Sequence, residues 1–348
     1  MSPLVSGFGL ILLASVSGGV FALPLRIRRR YEVENTMLVA MLFATIIIPF
    51  VTARFLLPDW TLAIAAVGYR TLLPVVAFGF GWGMGAVTFA LGVNAIGLSI
   101  GYATIMGIST AVGSLIPMLR RWEEIPGDAK AFTLLGMGIC GLGVILCGRA
   151  GFVREHSIST ETSSRSKPQR RRIFLIGLFW CIVSGFLSAC ANLGFDFAQP
   201  VETAAANLGA NPIFATLSRW LAMYWGGYLA LSIVFGSKML KRKTWRNYSG
   251  ASAARDFGLA VLMGGLHFLA QIPYGMGTFY LGRLGTTVGW VVNIAFSLVV
   301  ANLLGFITGE WRTAAALAKK IIVLGLTVMM VAVLVLAYAN SLLPTTSS

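Results

Sequence analysis

The chain has 348 residues, of which 57% are hydrophobic and 11% charged, against roughly a quarter charged in an average soluble domain. Too few polar side chains exist to cover a water-facing surface of that size, so the composition excludes a soluble globular protein and places the chain in a bilayer. The formal charge of +15 does not indicate nucleic acid, because a nucleic-acid binder gathers its Lys and Arg on one polar face and these lie in short clusters between apolar runs.

At 1.5 Å rise per residue, about 20 mostly apolar residues cross the hydrocarbon. That length predicts a first helix at 4 to 25, followed by the basic cluster Arg26, Arg28, Arg29 and Arg30. A cleavable signal peptide would carry such a cluster before its apolar run, so this segment is expected to stay as helix one. Helices two to five are expected at 36 to 57, 72 to 94, 97 to 119 and 131 to 149. The stretch 151 to 172, rich in Ser, Thr and Arg, reads as a flexible cytoplasmic linker. Helices six to ten follow at 173 to 197, 212 to 236, 257 to 282, 285 to 307 and 321 to 343. No stretch alternates apolar and polar residues over about ten positions, as membrane barrel strands do. The predicted class is all-α integral membrane, with five helices in 1–150, a linker at 151–172 and five helices in 173–348. Cys140, Cys147, Cys181 and Cys190 all fall inside apolar segments without C-x-x-C spacing, so neither a disulfide framework nor a zinc site is expected. No metal or cofactor is predicted.

Twenty of the 27 Lys and Arg residues fall in the odd-numbered loops and six in the even-numbered ones, with Arg219 at the mouth of helix seven. Positive residues near helix ends are retained in the cytoplasm. The odd loops are therefore expected inside and both termini in the periplasm, and the net charge needs no partner beyond anionic lipid headgroups. Five spans per half also means that the second half enters the membrane from the side opposite to the first.

Helix three reads GMG from Gly83 and then TFALG from Thr88, and helix eight reads GMG from Gly275 and then TFYLG from Thr278. VSGGVFA from Val16 in helix one has a weaker echo in VSGFLSA from Val183 in helix six. Matched pairs five helices apart point to an ancestral duplication; the alternative is that Gly-rich membrane helices resemble one another by chance. Inverted repeats of this kind build transporters that hold substrate near the membrane midplane. The fold expected is ten transmembrane helices as two inverted five-helix repeats. In helix five, LLGMGICGLGVILCG from Leu134 sets small residues at helix-packing spacing. This is a packing face first and a dimer seam second, so either a monomer or a homodimer is compatible.

With these features, WGMG at Trp82, GLSIG from Gly97, GGLHFLAQ from Gly264 and GEW at Gly309 make the chain resemble, from end to end, the L-rhamnose/proton symporter family of the drug/metabolite transporter superfamily. The resemblance implies a bacterial inner-membrane carrier that imports a 6-deoxy sugar, L-rhamnose foremost, together with protons. Two positions depart from the family pattern: Ala86 stands where a polar residue follows the WGxG signature, and Asn293 stands where helix nine carries His. The alternative is a carrier of the same superfamily for another sugar or small metabolite, acting as importer or exporter.

An ionisable side chain at mid-helix costs roughly 2.5 to 3.5 kcal/mol on insertion scales, so its presence defaults to function. His267 in helix eight reads as a proton carrier, because imidazole titrates close to neutral pH; a neutral His bonded to a neighbouring helix is the other reading. Asp196, near the outer end of helix six, reads either as a second proton-coupling group or as an interfacial acid with Arg219 for a partner. Gln271 and Asn293 offer amide donors and acceptors to sugar hydroxyls, or bond helix to helix. A pyranose presents flat C–H faces, which suit Trp82, Tyr274 and Trp290. Trp82 and Tyr274 each precede a GMG element, which favours them over the other membrane aromatics. Glu310 and Trp311 are expected to anchor the end of helix nine. An enzyme would need paired carboxylates, a His/Asp cluster or a metal motif, and the only histidines are His156 and His267; none is expected.

Overall fold

The apolar segments of the sequence are helical throughout the computed structural model, and no strand occurs among the described residues, which are 2–343 apart from 22, 159–166 and 310. The long helices are α1 (Pro3–Val20), α2 (Val33–Leu56), α3 (Gly68–Ile96), α4 (Leu98–Arg120), α5 (Gly127–Ile158), α6 (Lys167–Phe197), α7 (Leu217–Arg242), α8 (Ala253–Leu281), α9 (Gly285–Ile307) and α10 (Ala316–Ser341). Eight stretches of the described chain are long and apolar enough to cross a membrane. The longest, Ala253–Ile307, contains both α8 and α9, parted by the turn Gly282–Leu284. Outside the eight stands α7, whose apolarity is diluted by Trp220, Tyr224, Trp225, Gly226, Gly227 and Tyr228. Large apolar side chains such as Phe55, Leu73, Ile145 and Leu334 are exposed, as lipid-facing positions require and a water-facing surface would not tolerate in such number. This is an all-helical, multi-pass membrane protein.

Helix ends depart from the apolar runs that locate them. α5 continues to Ile158 and α6 begins at Lys167, so both helices enter the expected linker, and its central residues 159–166 lie outside the described residues. Glu310 lies outside them too, whereas Trp311 is buried, stacked on Phe306 and faced by the Arg154 guanidinium. α2 widens into a π-turn over Phe43–Ile47, just before Pro49. Pro49 has no N–H for the Thr45 carbonyl and its ring would strike it; the looser turn accommodates both.

The chain forms two compact units, one of residues 1–8, 85–189 and 281–348 and the other of 9–84 and 190–280. Each draws helices from both halves of the sequence. In the first unit α5 packs on α10 through glycines: a Cβ on Gly136 would lie 2.7 Å from Leu336, and Gly143 meets the Gly325 carbonyl and Met329. The glycine face of α5 is a packing face here. The tail of α3 packs on α6, with Gly92 against Cys181 and the Ser184 hydroxyl donating to the Gly85 carbonyl at 3.1 Å. That bond joins the GMG element to the motif of helix six.

In the second unit α3 and α7 touch backbone to backbone. Gly79 meets the Met223 carbonyl, Gly226 meets the Val76 carbonyl, and a Cβ on Gly83 would lie 2.7 Å from the Gly227 oxygen and 2.8 Å from Ala230 Cβ. Gly264 of α8 lies in the same way on the Ala40 carbonyl, at the edge of the π-turn of α2. Glycine is required because any side chain would part these helices.

Gly83→Ala forces backbone atoms apart and is expected to cost about 1–3 kcal/mol. Gly138→Ala, at a site with nothing within 4 Å, should leave stability equal or slightly higher, since alanine favours helix. Thermal unfolding in detergent measures both; equal melting temperatures for the two variants would refute the contact.

Candidate functional site

Three helices of the second unit bring their polar and aromatic residues together. α7 presents Trp220 and Tyr224 one turn apart, and α8 presents His267, Gln271 and Tyr274 at i, i+4 and i+7, so each set lies along one helix face. α3 supplies Trp82, whose ring lies over Gly227: a Cβ there would come within 2.8 Å of it. The tight α3–α7 approach thus leaves a slot for the indole.

The rings form a continuous train. His267 stacks on Trp82 with centroids 5.7 Å apart at 22°, and Phe21 meets the imidazole edge-on at 5.5 Å. Trp82 lies 6.3 Å from Tyr224, which stacks on Trp220 at 5.6 Å and 19°. Trp220 in turn packs on Phe195 at 4.6 Å and Tyr274 at 6.0 Å.

Polar atoms along this train are satisfied unevenly. Trp220 Nε1 donates to the Gln271 carbonyl at 3.2 Å, and the Tyr274 hydroxyl donates to Asn192 Oδ1 at 2.5 Å. Asp196, one turn beyond Asn192, is fully buried and near enough to act on Tyr274 electrostatically. Arg219 pairs through Nε with Glu202, and its guanidinium lies 4.8 Å over Phe195. By contrast, His267 Nε2 and the Tyr224 hydroxyl are buried without a hydrogen-bond partner. An unsatisfied buried polar atom costs about 1–3 kcal/mol, and each one in a native structure calls for an explanation.

Of the residues singled out from sequence, Trp82 and His267 are half-buried and in direct contact. Gln271 is half-buried one turn from His267. Tyr274 is only 1% exposed and shares its cluster with Asp196. Asn293 belongs to the first compact unit, half-buried on α9. There Trp290 donates through Nε1 to the Ser109 carbonyl of α4 at 3.0 Å, in space left by Gly113. Sequence reasoning missed Tyr224, Trp220 and Asn192. The available signal was the Trp220/Tyr224 pair at helical spacing just before Gly226 and Gly227. Among the described residues no group of three His, Cys, Asp or Glu side chains is placed to hold a metal.

Long apolar helices that keep imidazole, carboxyl, amide and phenol groups at their inner contacts make this a membrane protein with a polar, aromatic-lined interior. The family model for the L-rhamnose-proton symport protein (RhaT) matches residues 3–341, and the chain belongs to that family, one of transporters rather than enzymes. It is 28% identical over 335 residues to the L-rhamnose-proton symporter of Cronobacter sakazakii, covering 92% of this chain and 93% of the relative. Similarity to the L-rhamnose-proton symporter of Pectobacterium atrosepticum is 24% identity over 342 residues, covering 95% and 96%. The symporter of the same name from Citrobacter koseri is 26% identical over 337 residues.

Tyr274→Phe removes a buried hydrogen bond to Asn192 and should lower stability by about 0.5–1.5 kcal/mol, read as a fall in melting temperature of the detergent-solubilised protein. An unchanged melting temperature would mean that the bond contributes nothing to the fold.

Proposed function

We propose that this protein imports L-rhamnose in symport with protons by alternating access, as an inner-membrane carrier. The observation that carries the reading is the family match, which spans residues 3–341, together with relatives named L-rhamnose-proton symporter along almost their whole length. The sugar site is centred on Trp82. Its half-buried indole leaves apolar ring surface for the sugar's C–H groups and 6-methyl group, while the Gln271 amide, one turn from His267, provides a donor and an acceptor for hydroxyls. Asn293 of α9 is proposed as a further amide for sugar hydroxyls on its chemistry alone, and Tyr274 as the residue that holds α8 to α6 beside the sugar site.

The proton is assigned to His267. Its Nε2 has no protein partner, and its ring lies flat on the indole that receives the sugar, so one side chain senses both ligands. Coupling then follows from linkage: sugar bound beside the imidazole changes its proton affinity, and the proton changes sugar affinity by the same factor. Asp196, buried beside Tyr274, is the second candidate carrier.

The proposed topology has ten crossings in two inverted repeats, with periplasmic termini. Several local features support it. Asp256 at the start of α8 accepts the backbone N–H groups of Arg29, Arg30 and Tyr31 at 2.6–3.2 Å, and buried Glu34 pairs with Arg242 at 3.0 Å. The connections α1–α2 and α7–α8, both odd-numbered and basic, therefore share one end of their unit. Thr88 and Thr278, matched in the two repeat phrases, donate alike to the carbonyls of Gly85 and Gly275.

Uptake of labelled L-rhamnose into proteoliposomes tests the reading. Accumulation above the external level is expected only with an inward proton gradient. His267→Asn should abolish accumulation while keeping sugar exchange, Asp196→Asn should keep both, and Trp82→Ala should raise the half-saturating sugar concentration at least tenfold. If Asp196→Asn alone loses accumulation, the proton belongs there; if the gradient has no effect on the wild type, symport is refuted.

A further inference from the structure

The Tyr224 hydroxyl is the one buried orphan on the aromatic train besides His267 Nε2. The Ser and Thr hydroxyls that also lack partners, such as those of Thr133, Thr287 and Ser232, sit close to their own helix carbonyls, and a rotation of χ1 can satisfy them. A phenol cannot do this. Its oxygen stands at the far end of a rigid ring, and the Tyr224 ring is fully buried, stacked on Trp220 and set 6.3 Å from Trp82. No described protein group partners it.

The surroundings of Tyr224 define a partner's chemistry. The indole of Trp82 adjoins it, with the His267 imidazole stacked on that indole, and the ligand that fits beside them is neutral, with one apolar face and a hydroxyl able to accept from or donate to a phenol. Access follows from the same contact that buries the ring. α3 and α7 meet backbone to backbone through Gly79, Gly83, Gly226 and Gly227, with the Trp82 ring seated on Gly227, so a small shear of the kind packed helices allow would lift that ring from its slot. Such a shift moves Trp82 relative to Tyr224.

We propose that the Tyr224 hydroxyl reads one hydroxyl of the transported sugar, making Tyr224 a specificity-determining residue that is orphaned only while the site is empty. This rests on the sugar-importer reading and extends it to a residue on α7.

The test is L-rhamnose binding to purified full-length protein and to Tyr224→Phe, with a series of L-rhamnose analogues each lacking one hydroxyl, alongside melting temperatures without sugar. The dissociation constant for L-rhamnose is expected to rise about three- to tenfold in Tyr224→Phe, consistent with one net hydrogen bond. The sugar-free melting temperature should stay level or rise, since an unsatisfied buried group has been removed. One analogue should bind the wild type about as weakly as Tyr224→Phe binds L-rhamnose, and lose nothing further in the variant. Wild-type affinity in Tyr224→Phe, equal losses for every analogue in both proteins, or a lower sugar-free melting temperature would each overturn the inference while leaving the importer reading in place. Failure of the wild type itself to bind L-rhamnose would instead remove the importer reading, and this inference with it.

Discussion

The glycine contact between α3 and α7 is the constraint on which the rest of the second unit depends. Where Gly79, Gly83, Gly226 and Gly227 bring the two backbones together, no side chain can stand between the helices, and the large rings are displaced to the edge of the contact. Trp82 therefore lies over Gly227 and faces His267 on α8 and Tyr224 on α7. α8 is placed by a second contact of the same kind, Gly264 on Ala40 at the π-turn of α2. Two close approaches thus fix three helices whose aromatic residues meet.

Polar groups in this unit divide by position. At the end formed by the α1–α2 and α7–α8 connections, charges are paired: Asp256 accepts from three successive backbone N–H groups, Glu34 accepts through Oε1 from Arg242 and Thr244 with Lys238 3.7 Å from its Oε2, and Arg30 donates to the Asn247 carbonyl. Arg219 and Glu202 form another matched pair beside the Phe195 ring. Along the aromatic train between these places, a phenol and an imidazole nitrogen have no partner. Charge-paired ends hold helices in place, and uncharged groups without partners are where a polar ligand gains most by binding, because it meets groups already stripped of water.

Much of the fold was legible because apolar length marks the crossing of a bilayer. It marks helix ends less well: Arg149 and Arg154 end the apolar run of α5 without ending the helix, which continues to Ile158, since arginine is itself a good helix former. α7 was legible as a helix, yet its Trp, Tyr and Gly content weakens its apolar signal and leaves it outside the eight stretches apolar enough to cross, and that same content makes its part of the candidate site. Trp82 and His267 could be picked from sequence because a histidine in an apolar helix is rare and the tryptophan opens a repeated phrase. Tyr224 could not, because one tyrosine among many membrane aromatics gains meaning only from the register of α7 against α3, which no local pattern states. Tyr274 was legible as a residue, whereas its hydrogen bond to Asn192 depends on how α6 meets α8.

The central claim is that the imidazole stacked on Trp82 joins sugar binding to proton binding. L-rhamnose affinity measured across pH on the wild type, His267→Asn and Asp196→Asn tests it most directly. The account predicts wild-type affinity that weakens as pH rises, the same dependence in Asp196→Asn, and a flat profile in His267→Asn. A pH dependence that survives unchanged in His267→Asn would contradict it.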